Sequence, residues 1–512
     1  MTGPRAHRLR VLLPIALLLA LALAALALPA MAQVVESRSS DGPPPSSDGP
    51  DPDGRLDAPA PEAGAAPAVD TGDTAWVLVS AALVMLMTPG LALFYGGMVR
   101  KKNVMNTIMQ VFLILGLVSL QWAVLGYSLA FGPSVGGLVG NLDFAFLAGV
   151  GMEPNPTYAA TIPHQAFMAF QMMFAIITPA LIVGAMVERV SFKALAAFTL
   201  LWTTLVYDPL AHWVWGDGGW LRSLGAMDFA GGLVVHVSAG CAALACAIYL
   251  GKRLGHGREA MTPHNLTLVM LGTGLLWFGW FGFNAGSALG AGGLAANAFV
   301  ATHLATAAAT LAWMALEWRA KGKPTILGAA SGAVAGLVAV TPASGFVGPM
   351  AALVIGFAAG GACFWGVRMK ERLGFDDALD AWGVHGVGGI VGAVFTGLLA
   401  STAVNAAGRN GFLLEPFAAS GVLTAQVLSV LAAAIFAFAM TWAILWVVDR
   451  AIGLRVPPEH ETLGLDLAQH GEVGYAFEAP PVLAARPGEA TVTASTVARL
   501  AVLPHDGLDP PR

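Results

Sequence analysis

Apolar runs long enough to cross a lipid bilayer recur between residues 71 and 450, and this recurrence limits the possible folds more than any other feature. Only 11% of the 512 residues are charged, whereas a soluble domain carries about 25%. So few charges cannot cover a water-exposed surface of this size, and hydrocarbon is therefore the expected solvent. The 62 glycines suit that environment, because small residues let membrane helices approach closely. The chain is predicted to be an all-α membrane protein.

The apolar runs of this domain, residues 71–450, predict eleven transmembrane helices. They are expected near residues 74–98, 104–131, 164–187, 192–212, 228–250, 264–286, 296–318, 325–341, 346–369, 382–401 and 421–449. An odd number places the two ends of the domain on opposite sides of the membrane. It also permits an inverted five-helix repeat followed by one extra helix, an arrangement that is common in transporters.

Basic residues in the loops give an independent check, because cytoplasmic loops carry an excess of Lys and Arg. If the N-terminal end lies outside, fourteen basic residues fall on the inner side and only two, Arg222 and Arg409, on the outer side. The fourteen are Arg100, Lys101, Lys102, Arg189, Lys193, Lys252, Arg253, Arg258, Arg319, Lys321, Lys323, Arg368, Lys370 and Arg372. This asymmetry places the polar C-terminal tail, residues 451–512, in the cytoplasm.

The N-terminal 70 residues differ in composition from the helical domain. Residues 1–32 have the arginine-rich start, apolar stretch and small-residue cleavage site of a signal peptide. An uncleaved additional helix is the alternative, since the apolar stretch is long enough to span. Residues 33–70 are rich in Pro, Asp, Gly and Ser, and are predicted to form a disordered extracytoplasmic linker. Together these features predict a multi-pass protein of the cell inner membrane.

Several function classes find no support in the composition. No basic stripe indicates a nucleic-acid partner. The cysteines Cys241, Cys246 and Cys363 lie inside apolar runs and form no CxxC motif, so neither a disulfide framework nor a zinc site is indicated. No cofactor or metal is predicted, and the chain is not expected to be an enzyme.

Two histidines lie at membrane depth, where an ionisable group is costly and needs an explanation. If Asp228 marks the outer end of the fifth helix, His236 lies about 12 Å inward, and if Asp380 marks the inner end of the tenth, His385 lies about 8 Å outward. The two side chains are therefore expected at similar depths near the middle of the membrane, which allows them to meet. A purely structural hydrogen bond to a neighbouring helix and ligation of a haem are the alternatives.

A group of mainly aromatic residues falls toward the predicted outer ends of the helices. Its members are Phe170 and Phe174, then Trp280, Phe283 and Ser287, and finally Trp215 in an outer loop. An aromatic face attracts a cation that has lost its water, and a hydroxyl accepts a hydrogen bond from an N–H donor. An interfacial aromatic belt is the alternative, above all for Trp215. Asp228 is expected to cap the fifth helix, and its charge would favour a nearby cation.

At these residues the sequence resembles the ammonium transporter family (Amt, Mep and Rh proteins), and within it the bacterial ammonium channels. The resemblance runs from about residue 74 to about residue 476. It includes AHWVWG at 211–216, DFAGGLVVH at 228–236, GWFGFNAGS at 279–287 and WGVHGV at 382–387. It implies a homotrimer of eleven-helix protomers, each with its own pore.

The resemblance also implies roles for individual residues. Trp215, Phe174 and Ser287 match the family's outer ammonium site, Phe174 and Phe283 its stacked pore gate, and His236 and His385 its twin pore histidines. Asp228 matches the aspartate near the outer site, with Phe170 and Trp280 in support. The chain departs from the pattern at Met172, Met173 and Trp382. Residues 453–472 look like the family's cytoplasmic tail, which in relatives helps dock a PII-type signalling protein.

Membrane lipid surrounds the expected pore, and ammonium or ammonia is the expected substrate. Moving a bare cation through hydrocarbon costs far more than moving a neutral molecule, and ammonium can lose a proton whereas potassium cannot. We expect recruitment of NH4+, deprotonation, and passage of NH3 past the histidines, with possible separate transfer of the proton. The alternatives are an ammonium sensor that signals through the tail and a passive channel for NH3 or CO2.

Overall fold

The helices of this protein follow its apolar runs, in a computed structural model that describes residues 69–416 and 421–475. They are α1 (Thr71–Met98), α2 (Lys101–Phe131), α3 (His164–Met186), α4 (Phe192–Val214), α5 (Gly232–Leu250), α6 (Leu266–Ala288), α7 (Gly293–Lys321), α8 (Ile326–Val340), α9 (Pro349–Leu373), α10 (Trp382–Leu399) and α11 (Val422–Ala451). Ten of them are long and apolar enough to span a membrane, and α8, with 15 residues, is shorter. The eleven predicted helices are confirmed, with bounds shifted by four residues or fewer.

Some predictions concern parts of the chain outside the described residues. The predicted signal peptide, residues 1–32, lies there, as do residues 33–68 of the predicted linker and residues 476–512 of the tail. The described residues up to Glu472 belong to one compact unit.

The helix contacts repeat between the two halves of the domain. Helix α1 packs on α3 as α6 packs on α8, α3 packs on α5 as α8 packs on α10, and α2 packs on α4 as α7 packs on α9. Helices α5 and α10 meet at the centre, and α11 packs along α5. This pattern supports the predicted inverted repeat of five helices followed by one extra helix.

The loop between α2 and α3, on the predicted outer side, contains two small hairpins that the sequence pattern did not indicate. Their antiparallel strands are β1 (Ser134–Val135) with β2 (Val139–Gly140), and β3 (Pro154–Asn155) with β4 (Ala159–Pro163). Tyr158, at the second turn, donates a hydrogen bond to the Phe131 carbonyl at 2.7 Å and stacks on Phe167 with 5.2 Å between ring centroids. The turn of the second hairpin thereby forms one wall of the outer cavity described below, through Thr157 and Tyr158.

The predicted cytoplasmic side is held by a buried ion-pair network. Glu188 is fully buried and contacts Arg100 and Arg253. Asp376 contacts Arg253 and Arg189 at 2.9 Å. Burial would raise the pKa of Asp376, but the hydrogen bond from Arg253 and the charges of both arginines hold it well below the ordinary value. The network ties the loop after α3 to the loops after α5 and α9.

The described part of the tail packs against the same side of the domain. Residues Pro458–Leu463 and Asp466–His470 form two short helical segments. The Asp466 carboxylate accepts a hydrogen bond from the backbone N–H of Asn106 at 2.8 Å, so it caps the first turns of α2 from a distant part of the sequence. Arg455 forms an isolated β-bridge with Val190 and an ion pair with Glu461.

Candidate functional site

An aspartate caps the start of each helix that carries one of the two predicted pore histidines. The Asp228 carboxylate accepts hydrogen bonds from four backbone N–H groups, those of residues 231–234, at 2.6–3.3 Å. Burial raises the pKa of Asp228, although the four N–H groups oppose the shift. Its predicted role as the cap of the fifth helix therefore agrees with the geometry.

Asp380 lies at the inner end of α10, two residues before Trp382 as the depth argument supposed, but the side chain that caps this helix is that of Asp377. The Asp377 carboxylate accepts hydrogen bonds from the N–H groups of Ala381 and Trp382 at 3.1 and 2.8 Å. Asp380 has a positive φ of 62° and forms an ion pair with Lys370. The Asp380 carboxylate thus pairs with a lysine, and that of Asp377 accepts the N–H groups of the helix start.

The two caps have the same spacing to the two histidines. Asp228 precedes His236 by eight positions, as Asp377 precedes His385, and a residue of positive φ follows each aspartate after three positions. A π-helical turn contains each histidine, at Gly232–Val237 and Trp382–Gly386. This shared geometry is the clearest trace of the inverted repeat at the level of single residues.

The histidine side chains meet at the centre of the domain, as the depth argument allowed. The Nδ1 atoms of His236 and His385 lie 3.3 Å apart, and the rings are stacked with 5.4 Å between centroids. One Nδ1 must therefore carry a proton that the other accepts. The Nε2 atom of His236 is buried and has no hydrogen-bond partner within the described ranges, so it can bind a small polar molecule. An iron atom does not fit between Nδ1 atoms at this distance, which disfavours the haem alternative.

Backbone contact between two glycines sets the spacing of the histidines. A Cβ atom added to Gly240 of α5 would lie 2.2 Å from both Cα and N of Gly386 in α10. A Cβ added to Gly386 would meet the Trp382 ring at 2.3 Å, so this glycine also provides the space that Trp382 occupies. A larger residue at Gly240 would require the helices to move apart, and one at Gly386 would require the Trp382 ring to move.

Aromatic rings form a continuous line between the histidines and the predicted outer surface. The Phe283 ring lies 6.0 Å from that of His236 and 4.3 Å from that of Phe174. Phe174 in turn contacts Trp215, with 6.0 Å between centroids and nearly perpendicular planes. Both phenylalanines are buried. They separate the histidine pair from the outer cavity.

Phe170 and Trp280 flank this line. Phe170 packs edge-on against Phe174 with 4.9 Å between centroids, and Trp280 stacks on His236 at 5.4 Å. The Trp280 indole N–H donates to the Thr341 hydroxyl at 2.9 Å, which fixes the ring beside the histidine.

A cavity of about 390 Å³ opens on the outer side of the phenylalanines. Trp215, Phe174, Ser287 and Asp228 line it together. The Trp215 indole N–H donates to the Asp228 carbonyl at 2.9 Å, which orients the ring inward and argues against an interfacial belt. The Ser287 hydroxyl donates to the Phe283 carbonyl at 2.8 Å, and its oxygen retains lone pairs for an N–H donor.

The sequence reasoning missed several residues of this region. Tyr158, Arg222 and Arg409 line the outer cavity, and Asp377 supports the inner histidine. Only Asp377 had a usable signal, which is its eight-residue distance from His385. The others reach the cavity from separate loops, and no periodic pattern predicts such a convergence.

Comparisons with known proteins agree with this geometry. The model of the Ammonium Transporter Family matches residues 75–475. The ammonium transporter of Bacillus subtilis is 51% identical over 405 residues, which cover 79% of this chain and 98% of that protein. Ammonium transporter Amt1 of Archaeoglobus fulgidus is 46% identical over 404 residues, covering 79% and 99%.

Solved structures show the same fold. The crystal structure of Saccharomyces cerevisiae Mep2 superimposes with a TM-score of 0.72 at 36% identity and covers 76% of this chain and 88% of that chain. A structure described as "Sensor Amt Protein" gives the same TM-score at 30% identity, with coverage of 78% and 98%.

Proposed function

The chain belongs to the ammonium transporter family, and from this premise we propose that it recruits NH4+ in the outer cavity and conducts NH3 past the histidine pair. The observation that carries the proposal is the unbroken line of ring contacts from Trp215 through Phe174 and Phe283 to His236 and His385.

Recruitment takes place at Trp215, Phe174 and Ser287. Two aromatic faces attract a partly dehydrated cation by roughly 0.5–2 kcal/mol, and the Ser287 oxygen accepts one of its N–H groups. The nearby Asp228 adds a favourable charge. The site therefore suits a small cation that is also a hydrogen-bond donor.

The stacked pair of Phe174 and Phe283 closes the way inward. Neither ring offers a hydrogen bond to replace the water of a cation, so a charged species meets a high barrier there. Ammonium lowers this barrier by losing a proton, and the rings need only rotate apart for a molecule as small as NH3. Potassium has no such route, which gives selectivity.

The histidine pair receives NH3 below the gate. The buried Nε2 of His236 exchanges a hydrogen bond with the passing molecule, and the shared proton between the two Nδ1 atoms links the protonation states of both rings. A proton released at the gate travels separately through the two rings and water, so that net charge crosses the membrane.

Currents on solid-supported membranes test this mechanism. Ammonium pulses should give a current in the wild-type protein, and potassium pulses should give none. His236→Ala and His385→Ala should each lose current or selectivity, whereas His303→Ala, in α7 beside Trp277, should behave as wild type. Full ammonium current and selectivity in both pore variants would contradict the relay.

Further parts of the proposal concern the surroundings of the pore. We propose a homotrimer in the cell inner membrane, with the N-terminus outside and the tail in the cytoplasm, where a PII-type protein docks. The packing of residues 452–472 against α2 and the loop after α3 supports a regulatory role of the tail. Analytical ultracentrifugation in detergent tests the trimer.

An ammonium sensor is the second candidate function. The structural likeness to the protein described as "Sensor Amt Protein" favours it, and the docked tail offers a route for a signal. A sensor would bind ammonium at the same cavity with little flux. Deletion of residues 452–512 should then abolish signalling without changing the flux, whereas a transporter loses regulation of a measurable current.

A further inference from the structure

Two arginines border the cavity that we propose as the ammonium site. Arg222 and Arg409 are the two Lys or Arg residues of 71–450 that the topology assigns to the outer side, and they belong to different loops. Both nevertheless line the same cavity as Trp215 and Asp228. The fold thus brings these two positive charges to a site that we propose to recruit a cation.

Arg222 is attached directly to the aromatic site. It lies in the short helix Trp220–Leu224, and its Nη1 donates a hydrogen bond to the carbonyl oxygen of Trp215 at 2.9 Å. Within residues 69–416 and 421–475, none of the ion pairs includes Arg222. Its positive charge therefore acts on the cavity without a paired carboxylate among those residues.

Arg409 reaches the cavity from the loop between α10 and α11. Its backbone N–H contacts the Sδ of Met227 at 3.4 Å, and Met227 directly precedes Asp228. A Cβ atom on Gly225 would lie 2.9 Å from Nη1 of Arg409, and Gly225 has a φ of +98°, which favours glycine. The turn at Gly225 therefore leaves space for the second guanidinium.

We propose that Arg222 and Arg409 act as an electrostatic brake, weakening the capture of NH4+ at the outer cavity and thereby favouring the release of its proton. The proposal rests on the function proposed above for this cavity. A like charge about 10 Å away weakens cation binding by about two- to fivefold in water-like surroundings. The charge opposes NH4+ but not NH3, so it shifts the proton-loss equilibrium by the same factor.

The brake predicts opposite effects on affinity and turnover. A neutral side chain in place of either arginine should hold ammonium more tightly, and the more stable cation should give up its proton less readily. Both the half-saturating ammonium concentration and the maximal current should therefore fall. Salt at about 1 M reduces the Debye length to about 3 Å and should remove the difference.

Ammonium currents in proteoliposomes at about 0.01 M and about 1 M ionic strength test this proposal. The variants are Arg222→Gln, Arg409→Gln and the double variant, with Arg222→Lys and Arg409→Lys as charge-retaining partners. Arg450→Gln, whose guanidinium lies over Trp446 at the predicted cytoplasmic end of α11, is the control for loss of a remote charge.

At low ionic strength each glutamine variant should lower the half-saturating concentration by about two- to fivefold, and the double variant by more, while the lysine variants and Arg450→Gln match the wild type. An unchanged value in the double variant overturns the brake. A rise of the half-saturating concentration in both the glutamine and the lysine variants also overturns the brake, because it would mean that the arginines only position Trp215. A wild-type protein that carries no ammonium current refutes the proposed function, and the brake with it.

Discussion

Replacement of Asp228 should both destabilise the protein and disable the outer site, because this carboxylate serves the start of α5 and the position of Trp215. Asp228→Ala leaves four N–H groups without their acceptor, three of them in short contacts of 2.6–2.8 Å. A hydrogen bond to a charged group contributes about 1.5–3 kcal/mol, and water from the cavity replaces part of the loss. We therefore expect Asp228→Ala to lower the free energy of unfolding by about 3–5 kcal/mol.

This magnitude can be converted into a melting temperature. Unfolding entropy is about 2.1 cal/mol/K per residue, so for about 400 structured residues 3–5 kcal/mol corresponds to a decrease of about 4–6 °C. Asp228→Asn keeps one oxygen and about half of the bonds, so its decrease should be about half as large. Asp377→Ala removes two hydrogen bonds, so its melting temperature should also decrease by about half as much as that of Asp228→Ala.

Thermal unfolding in detergent, followed by intrinsic fluorescence, measures these differences, and solid-supported-membrane currents measure the effect on transport. Asp228→Ala should lose the ammonium current even where the protein remains folded, because the backbone carbonyl that the Trp215 indole contacts is no longer held in place by the carboxylate of the same residue. An Asp228→Ala protein that melts within 1 °C of the wild type refutes the capping argument. A larger decrease for Asp377→Ala than for Asp228→Ala refutes the bond count.

Three further predictions concern the gate and the cytoplasmic side. Phe283→Ala should let potassium permeate with ammonium in flux assays, because it removes one half of the gate, and retained selectivity would speak against a steric barrier. Arg189→Met should lower the free energy of unfolding in detergent by about 3–5 kcal/mol, since it breaks a buried ion pair with Asp376. The lowered pKa of Asp376 makes that contribution complete above about pH 4 and lost as the pH falls further, so the variant and the wild type should converge in acid. Asp466→Ala should cost about 1–2 kcal/mol and speed proteolysis of residues 452–475, whereas exposed Glu459→Ala should not.

The sequence predicted the helices well because a membrane imposes a simple rule on length and composition. Each span needs about 20 apolar residues, and loop charge fixes the alternation. The similar depth of His236 and His385 also followed from the sequence, since both lie a few turns from a polar helix end. These arguments need only one coordinate, along the membrane normal.

Features that depend on lateral position could not be obtained this way. Asp377 and Asp380 are both acidic residues just before α10, and only the structure shows that Asp377 caps the helix while Asp380 pairs with Lys370. Burial of Glu188 between Arg100 and Arg253 joins three distant loops. Distances in sequence carry no information on such encounters.

The glycine contact between α5 and α10 has a consequence for variation in this protein. At Gly240 and Gly386 the two main chains already touch, so the interval between the imidazoles stands at its lower limit. A methyl group added at Gly240 would wedge the helices apart, and one added at Gly386 would displace the Trp382 ring. Tolerance at this crossing is thus one-sided: mutation can loosen the conduit, but tightening it would require a change elsewhere in the fold.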